Sequence, residues 1–172
     1  MKFNLKKHAG FTILELMLAV AIASVMAAIA LPNFSAMIKN NCMTTNANRF
    51  VTSLQLARSE AVKRRTNIAI AAKSATSDNE WGTGWRVFVD TNGNGSVSFG
   101  EEIIRDVDLT CGIGTTKFDS TVSSITYESK GYLDSAGDVL FTLCDDRTAE
   151  TGRQIEVTEI GRPSTNNKYA CP

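Results

Sequence analysis

The chain holds a single histidine, His8, and it lies ahead of the one long apolar run. Everything beyond residue 10 therefore lacks the side chain best suited to proton transfer near neutral pH. The four cysteines show no Cys-x-x-Cys spacing and no companion histidine, which leaves no zinc-ligand pattern. Ser59-Glu60 and the adjacent pair Asp145-Asp146 have no His or Lys partner in a recognisable arrangement. An enzyme is not expected. A charge surplus is also missing, with 18 Lys and Arg against 18 Asp and Glu. A balanced chain is not a general binder of polyanions, so any nucleic-acid contact has to rest on a local patch. Strand–helix–strand alternation, internal repeats and low-complexity tracts are absent as well, which argues against a parallel sheet.

What the chain does have is one apolar stretch from Phe11 to Leu31, interrupted only by Thr12, Glu15 and Ser24. At about 1.5 Å per residue this gives roughly 30 Å of helix, the thickness of bilayer hydrocarbon. Lys2, Lys6, Lys7 and His8 precede it with no acidic residue. Positive charge on that side places it in the cytoplasm and the remainder of the chain across the membrane. Glu15 is anomalous there. A carboxylate in hydrocarbon costs about 2.5–3.5 kcal/mol even on lenient scales, so a partner is expected. A secretory signal would carry a shorter apolar core and no Glu within it. A plain signal anchor leaves both Glu15 and the Gly10-Phe11 junction unexplained. A third reading has a peptidase cut after Gly10 on the cytoplasmic side, so that the apolar segment stays on the product.

Gly10-Phe11-Thr12-Ile13-Leu14-Glu15-Leu16 closely resembles the type III signal of type IV pilins and type II secretion pseudopilins. The resemblance implies cleavage by a prepilin peptidase between Gly10 and Phe11 and N-methylation of Phe11. It also implies pairing of Glu15 with the new amino group of a neighbouring subunit. Pro32 stands where such signals place a proline. Three segments follow: a leader over 1–10, a hydrophobic membrane or filament-core helix over 11–40, and a periplasmic head over 41–172. Loss of a leader with three lysines and no acid turns 18 against 18 into 15 against 18, a formal −3.

Pro32 is expected to kink or locally melt the helix. Past Asn40-Asn41 the apolar residues Ala47, Phe50/Val51, Leu54, Ala57 and Ala61/Val62 recur at helical spacing, with Arg49, Arg58, Lys63 and Arg64 opposite. One face of this half should lie on a globular head. The period then becomes strand-like, with six strands expected over 67–71, 85–89, 102–107, 124–127, 139–143 and 154–158. Gly- and Asn-rich turns separate them. The fold class is α+β, an amphipathic helix on short antiparallel strands. Cys42, Cys111, Cys144 and Cys171 all follow the membrane segment, and two disulfides are expected in an oxidising compartment. Three pairings are open; the hypothesis carried forward is Cys144 with Cys171 and Cys42 with Cys111.

Leu56-Ala57-Arg58-Ser59-Glu60-Ala61-Val62-Lys63-Arg64, Gly84-Trp85-Arg86-Val87-Phe88-Val89-Asp90 and Ile160-Gly161-Arg162-Pro163 are similar to segments of the GspH/FimT family of minor pilins and pseudopilins. That resemblance implies a pilin fold with two β-sheets. It also implies other minor and major pilins as partners, and a chain held in the inner membrane before entering a thin filament, at or near its tip. Members tied to DNA uptake carry Gly-Arg-x-Arg near the C-terminus. Here Ser164 replaces the second Arg.

Two local candidates remain. Asp90, Asn92, Asn94 and Glu101 fit the spacing of an EF-hand loop. Strands rather than helices are expected on both sides, so a hairpin turn is the reading and weak Ca²⁺ binding its alternative. No other cofactor is expected. In the tail, the polar run Pro163–Asn167 reads as a loop, pinned if Cys144 joins Cys171. Arg162, Lys168 and Arg153 could then meet phosphates with Tyr169 as a stacking face. The alternative is a capped terminus with solvated charges. Trp81 and Trp85 read as packing residues.

Overall fold

A computed structural model of the chain describes residues 10–74, 81–109, 117–135, 137–147 and 151–171, with only the backbone described at 32 and 33. One helix and eight strands follow in order: α1 Ile13–Arg64, β1 Ile68–Ala72, β2 Gly84–Val89, β3 Ile103–Asp108, β4 Lys117–Ser120, β5 Ser124–Tyr127, β6 Val139–Cys144, β7 Thr151–Val157 and β8 Pro163–Ala170. The chain separates into two compact units, Met1–Ile38 and Lys39–Pro172.

In the first unit every residue from 11 to 31 is exposed. This part of α1 is long and apolar enough to cross a membrane. The helix opens on a capping box: Thr12 Oγ1 accepts from Glu15 N, and Glu15 Oε2 accepts from Thr12 N and Thr12 Oγ1, each at 3.2 Å. Thr-x-x-Glu ahead of an apolar run is the sequence signature of that cap. α1 continues without a break through Pro32, so the local melting expected there does not occur.

The second unit holds the core. Met43, Ala47, Phe50, Leu54, Ala57 and Ala61 are buried at alternating steps of four and three, one seam of the helix. The seam packs on two four-stranded antiparallel sheets, ordered β3-β2-β1-β5 and β4-β6-β7-β8. Phe50 joins the helix to both. Its ring meets Trp85 of β2 at 5.0 Å, Phe118 of β4 at 4.9 Å and Phe141 of β6 at 4.7 Å, all edge-on. Trp81 adds a further edge contact at 5.3 Å. Such pairs contribute about 0.5–1.5 kcal/mol each beyond area burial. Both indoles are buried and find acceptors, Trp81 Nε1 at Val122 O (2.8 Å) and Trp85 Nε1 at Ser53 Oγ (2.9 Å). They are packing residues, as the sequence indicated.

All six expected strands form, five with shifted ends and the one over 124–127 at its expected bounds, and two more appear. β4 is four residues long, and only Phe118 of it is buried. β8 corrects the expectation of a loop over Pro163–Asn167. It pairs with β7 from Val157↔Pro163 to Thr151↔Ala170. Its side chains are polar because it is an edge strand with almost every residue exposed. Main-chain hydrogen bonding, which leaves no alternation in the sequence, holds it in place. α1 ends with Arg65 in the left-handed region (φ 55°) and Thr66 N donating to Ala61 O at 3.3 Å. This closure resembles a Schellman cap, with arginine where glycine is usual.

Candidate assembly and binding surfaces

Gly10 and Phe11 are exposed ahead of the first helical turn, and Glu15 lies within that turn. The cap explains how Glu15 is held, through its own Thr12, which sequence reading passed over despite the Thr-x-x-Glu spacing. No cation approaches Glu15 among the described residues of this single chain.

At the start of the second unit a polar hook fastens α1 to the residues after β6. Lys39 Nζ pairs with Asp146 at 2.7 Å. Arg147 holds Asp145 at 2.5 Å and donates to Asn40 Oδ1 at 2.7 Å. Burial raises the Asp145 carboxyl, but the Arg147 guanidinium and main-chain N–H outweigh it, and the net shift is downward. Hydrogen bonding to Lys39 lowers Asp146. Each of the adjacent carboxylates is thus committed to a cation, Asp145 to Arg147 and Asp146 to Lys39.

Cys144, the last residue of β6, is bonded to Cys171 just beyond β8, with Cα atoms 5.9 Å apart. The bridge passes over β7, which lies between those strands. Gly152 makes the crossing possible: a Cβ there would sit 2.5 Å from Cys171 Sγ and 2.6 Å from Leu143 O. Cys42 is also disulfide-bonded, whereas Cys111, its hypothesised partner, lies outside the described residues.

The residues proposed for phosphate contact do not converge. Register places Gly152 opposite Tyr169, so Arg153, Lys168 and Tyr169 share one end of the β7–β8 ribbon. Arg162 is at the other end, about 20 Å away at ~3.3 Å per strand residue. Arg153 is also occupied, donating to Gly152 O, Asn167 O and Thr44 Oγ1.

The stretch 90–101 is the β2–β3 hairpin connection, with Val89 N donating to Glu102 O at its base. Asp90 is buried and accepts from the main-chain N–H groups of Gly93, Asn94 and Gly95. Asn92 and Asn94 accept from Asn94 N and Ser96 N. Glu101 accepts from Thr91 N and Ser98 N, which lowers its carboxyl. The loop's own amides account for the placement of all four oxygen ligands of the calcium pattern. Among the described residues no three His, Cys, Asp or Glu side chains gather as a metal site.

A surface that sequence reading did not assemble lies beside the last turns of α1. Arg58 donates from Nε to Gly131 O and from Nη2 to Ile160 O, both at 3.0 Å, clamping two turns to the helix. Gly131 and Gly161 both have positive φ, and a Cβ on Gly161 would lie 2.3 Å from Gly131 O. The clamp brings Lys63, Lys130 and Arg162 to one open groove of about 680 Å³, floored in part by Val62 and Pro163. Only a turn-by-turn tertiary fit could join residues 63, 130 and 162.

An apolar helix whose second half lies on two antiparallel sheets, behind a Gly-Phe-x-x-x-Glu start, defines a pilin-like filament subunit. The prokaryotic N-terminal methylation motif matches residues 5–31, and the type II transport protein GspH model matches residues 46–161. The chain belongs to the GspH family. Its structure is similar to crystal structures of the type IV minor pilin FimU of Pseudomonas aeruginosa PAO1. One shows 26% identity and TM-score 0.64, covering 77% of this chain and 95% of that one. The second crystal form shows 26% identity and TM-score 0.60, covering 74% and 96%. The minor pseudopilin EpsH of the Vibrio cholerae type 2 secretion system shares the fold at 12% identity and TM-score 0.51, over 72% and 95%. No curated protein matches the sequence.

Proposed function

We propose that this chain is a structural minor pilin of a type IV pilus, acting in the tip or initiating complex rather than as an enzyme. The observation that carries the pilus over a secretion pseudopilus is the likeness to FimU, at 26% identity over nearly all of that chain, against 12% for EpsH. On this reading a prepilin peptidase cuts between Gly10 and Phe11. The exposed apolar helix holds the subunit in the inner membrane with its head in the periplasm. It then joins the helices of other minor and major pilins. Glu15, which no cation approaches among the described residues, receives the amino group of Phe11 from the adjacent subunit. An unpaired charge buried in such a bundle costs about 3–5 kcal/mol.

The test is Glu15→Ala in cells that assemble the filament. Leader removal should proceed normally while recovery in sheared filaments falls by about tenfold or more. Normal incorporation of that variant would remove Glu15 from assembly. Recovery of the wild-type chain only with secretion components would move the subunit to a pseudopilus.

A further inference from the structure

Ala69, Ala71 and Phe88 form a small apolar cluster apart from the main core, and register places Ala69 opposite Phe88. Ser124 of β5 stands opposite Ala71, so it shares that outer face of the sheet. The β2–β3 connection comes back across this face: a Cβ on Gly95 would lie 2.5 Å from Ser124 Oγ. Gly95, Ser96 and Val97 close a hollow of about 220 Å³ with Ala71, Lys73 and Arg86. Residues 90–101 are therefore a strap over the sheet, and Phe88 is fully buried.

The strap contains both Asn-Gly pairs of the chain, Asn92-Gly93 and Asn94-Gly95. Such a pair is chemically reactive. The main-chain nitrogen of the glycine attacks the carboxamide carbon of the asparagine, a new N–C bond closes a succinimide ring, and ammonia leaves. Water then opens the ring at either carbonyl, giving aspartate or isoaspartate. Glycine favours the attack because no Cβ obstructs it and its backbone turns freely. Both asparagines are exposed, so water reaches them.

Both nitrogens are held back. Gly93 N donates to Asp90 Oδ1 at 2.8 Å, and Gly95 N donates to Asp90 Oδ2 at 3.0 Å. One buried carboxylate thus occupies each N–H that the reaction must deprotonate, and its negative charge opposes the amide anion that attacks. The carboxamides are fixed too. Asn92 Nδ2 and Asn94 Nδ2 both donate to Ser98 Oγ at 3.0 Å, and Asn94 Oδ1 accepts from Ser96 N at 2.8 Å. Attack therefore requires the strap to open locally, and the bonds to Asp90 set how often it does.

We propose that Asn92 and Asn94 are latent modification sites guarded by Asp90, each converting to aspartate or isoaspartate once the strap lifts. The inference does not depend on the reading as a filament subunit. Isoaspartate adds a methylene to the main chain. At position 94 this carries Gly95 off Ser124 and uncovers the cluster around Phe88, so that the strap does not close again. Conversion is then a one-way mark of a head that has opened.

The test uses the full chain in detergent, warmed at mildly alkaline pH. Trypsin releases residues 87–105 as one peptide holding both sites, because no Lys or Arg lies between Arg86 and Arg105. Conversion is read there as the mass gain from amide to acid, and isoaspartate by enzymatic methylation. Folded wild type should convert at least about tenfold more slowly than the same chain in denaturant, a comparison that needs no variant. Asp90→Ala, its fold checked by the fluorescence of Trp81 and Trp85, should convert about tenfold faster than folded wild type. Replacing Asn92 and Asn94 by Gln in the Asp90→Ala chain should abolish the conversion. Glu101→Gln loosens the same strap without touching either glycine nitrogen and should stay near the wild-type rate. Equal rates for wild type folded and in denaturant would overturn the guard, as would a folded Asp90→Ala no faster than wild type. Glu101→Gln as fast as Asp90→Ala would also overturn it, because protection would then belong to the strap as a whole.

Discussion

From residue 11 to 31 every side chain is exposed, whereas from Met43 to Ala61 the same helix buries a continuous seam. Backbone conformation is common to both stretches. The first is apolar on all sides and needs lipid or neighbouring helices to cover it. The second alternates, and its apolar side is covered by the chain's own sheets. One helix can thus belong to two environments because its backbone bonds are satisfied internally, while its side chains decide separately what surrounds each half. The difference teaches that assembly and folding chemistry are divided along α1. Damage to the first half should leave the head folded, and damage to the second should unfold it.

The sharpest way to break this division is Phe50→Ala, which removes the ring that ties α1 to both sheets. A loss of about 3–5 kcal/mol is expected. Both tryptophans, Trp81 and Trp85, lie in this core, so their fluorescence in detergent-solubilised full chain reports the head alone. A midpoint unchanged in denaturant would show that the aromatic cluster does not hold the units of the head together. Leu18→Ala, in the exposed half, is the companion and should leave that midpoint in place.

Next in size is the bridge over β7. Replacing Cys144 and Cys171 together by Ser should cost about 3.5 kcal/mol for a loop of this length, measured by the same denaturation. Proteolysis should then begin at β8, the edge strand it secures. Gly152→Ala attacks the same place from beneath, and it should lower the yield of the disulfide in non-reducing peptide maps.

A smaller effect tests the polar hook. Asp145 and Asp146 have folded values below the ordinary 3.8 of the carboxyl. A lowered carboxyl adds stability above its unfolded value and loses it as pH falls through the folded one. The hook should therefore be intact at neutral pH and weaken progressively below about pH 4. Lys39→Gln/Arg147→Gln should flatten that acid limb in thermal melts read by fluorescence. An identical limb in the variant would assign the acid sensitivity to other carboxylates.

The smallest concerns the end of α1. Arg65 occupies a left-handed conformation that costs a residue with a Cβ about 1–2 kcal/mol. Arg65→Gly should recover part of this, about 0.5–1 kcal/mol, raising the denaturation midpoint slightly. A lowered midpoint would mean that the arginine side chain contributes more than its backbone costs.

What the sequence determined by itself is what depends on neighbours along the chain. The length of the apolar run, the Gly10-Phe11 junction with Glu15 and the seam from Ala47 to Ala61 are all local patterns. So are the strands with buried apolar residues. The Thr12–Glu15 cap was equally legible and needed only its spacing to be noticed. β8 was hidden because an edge strand with polar side chains is specified by main-chain hydrogen bonds to β7, and these leave no periodicity. The spread of Arg153, Lys168 and Tyr169 away from Arg162 followed from that same register. Tertiary structure alone decided that Lys63, Lys130 and Arg162 share a groove and that Gly152 clears a path for the Cys144–Cys171 bridge. Each depends on contact between residues far apart in the chain, and close approach in three dimensions is not encoded in any one segment.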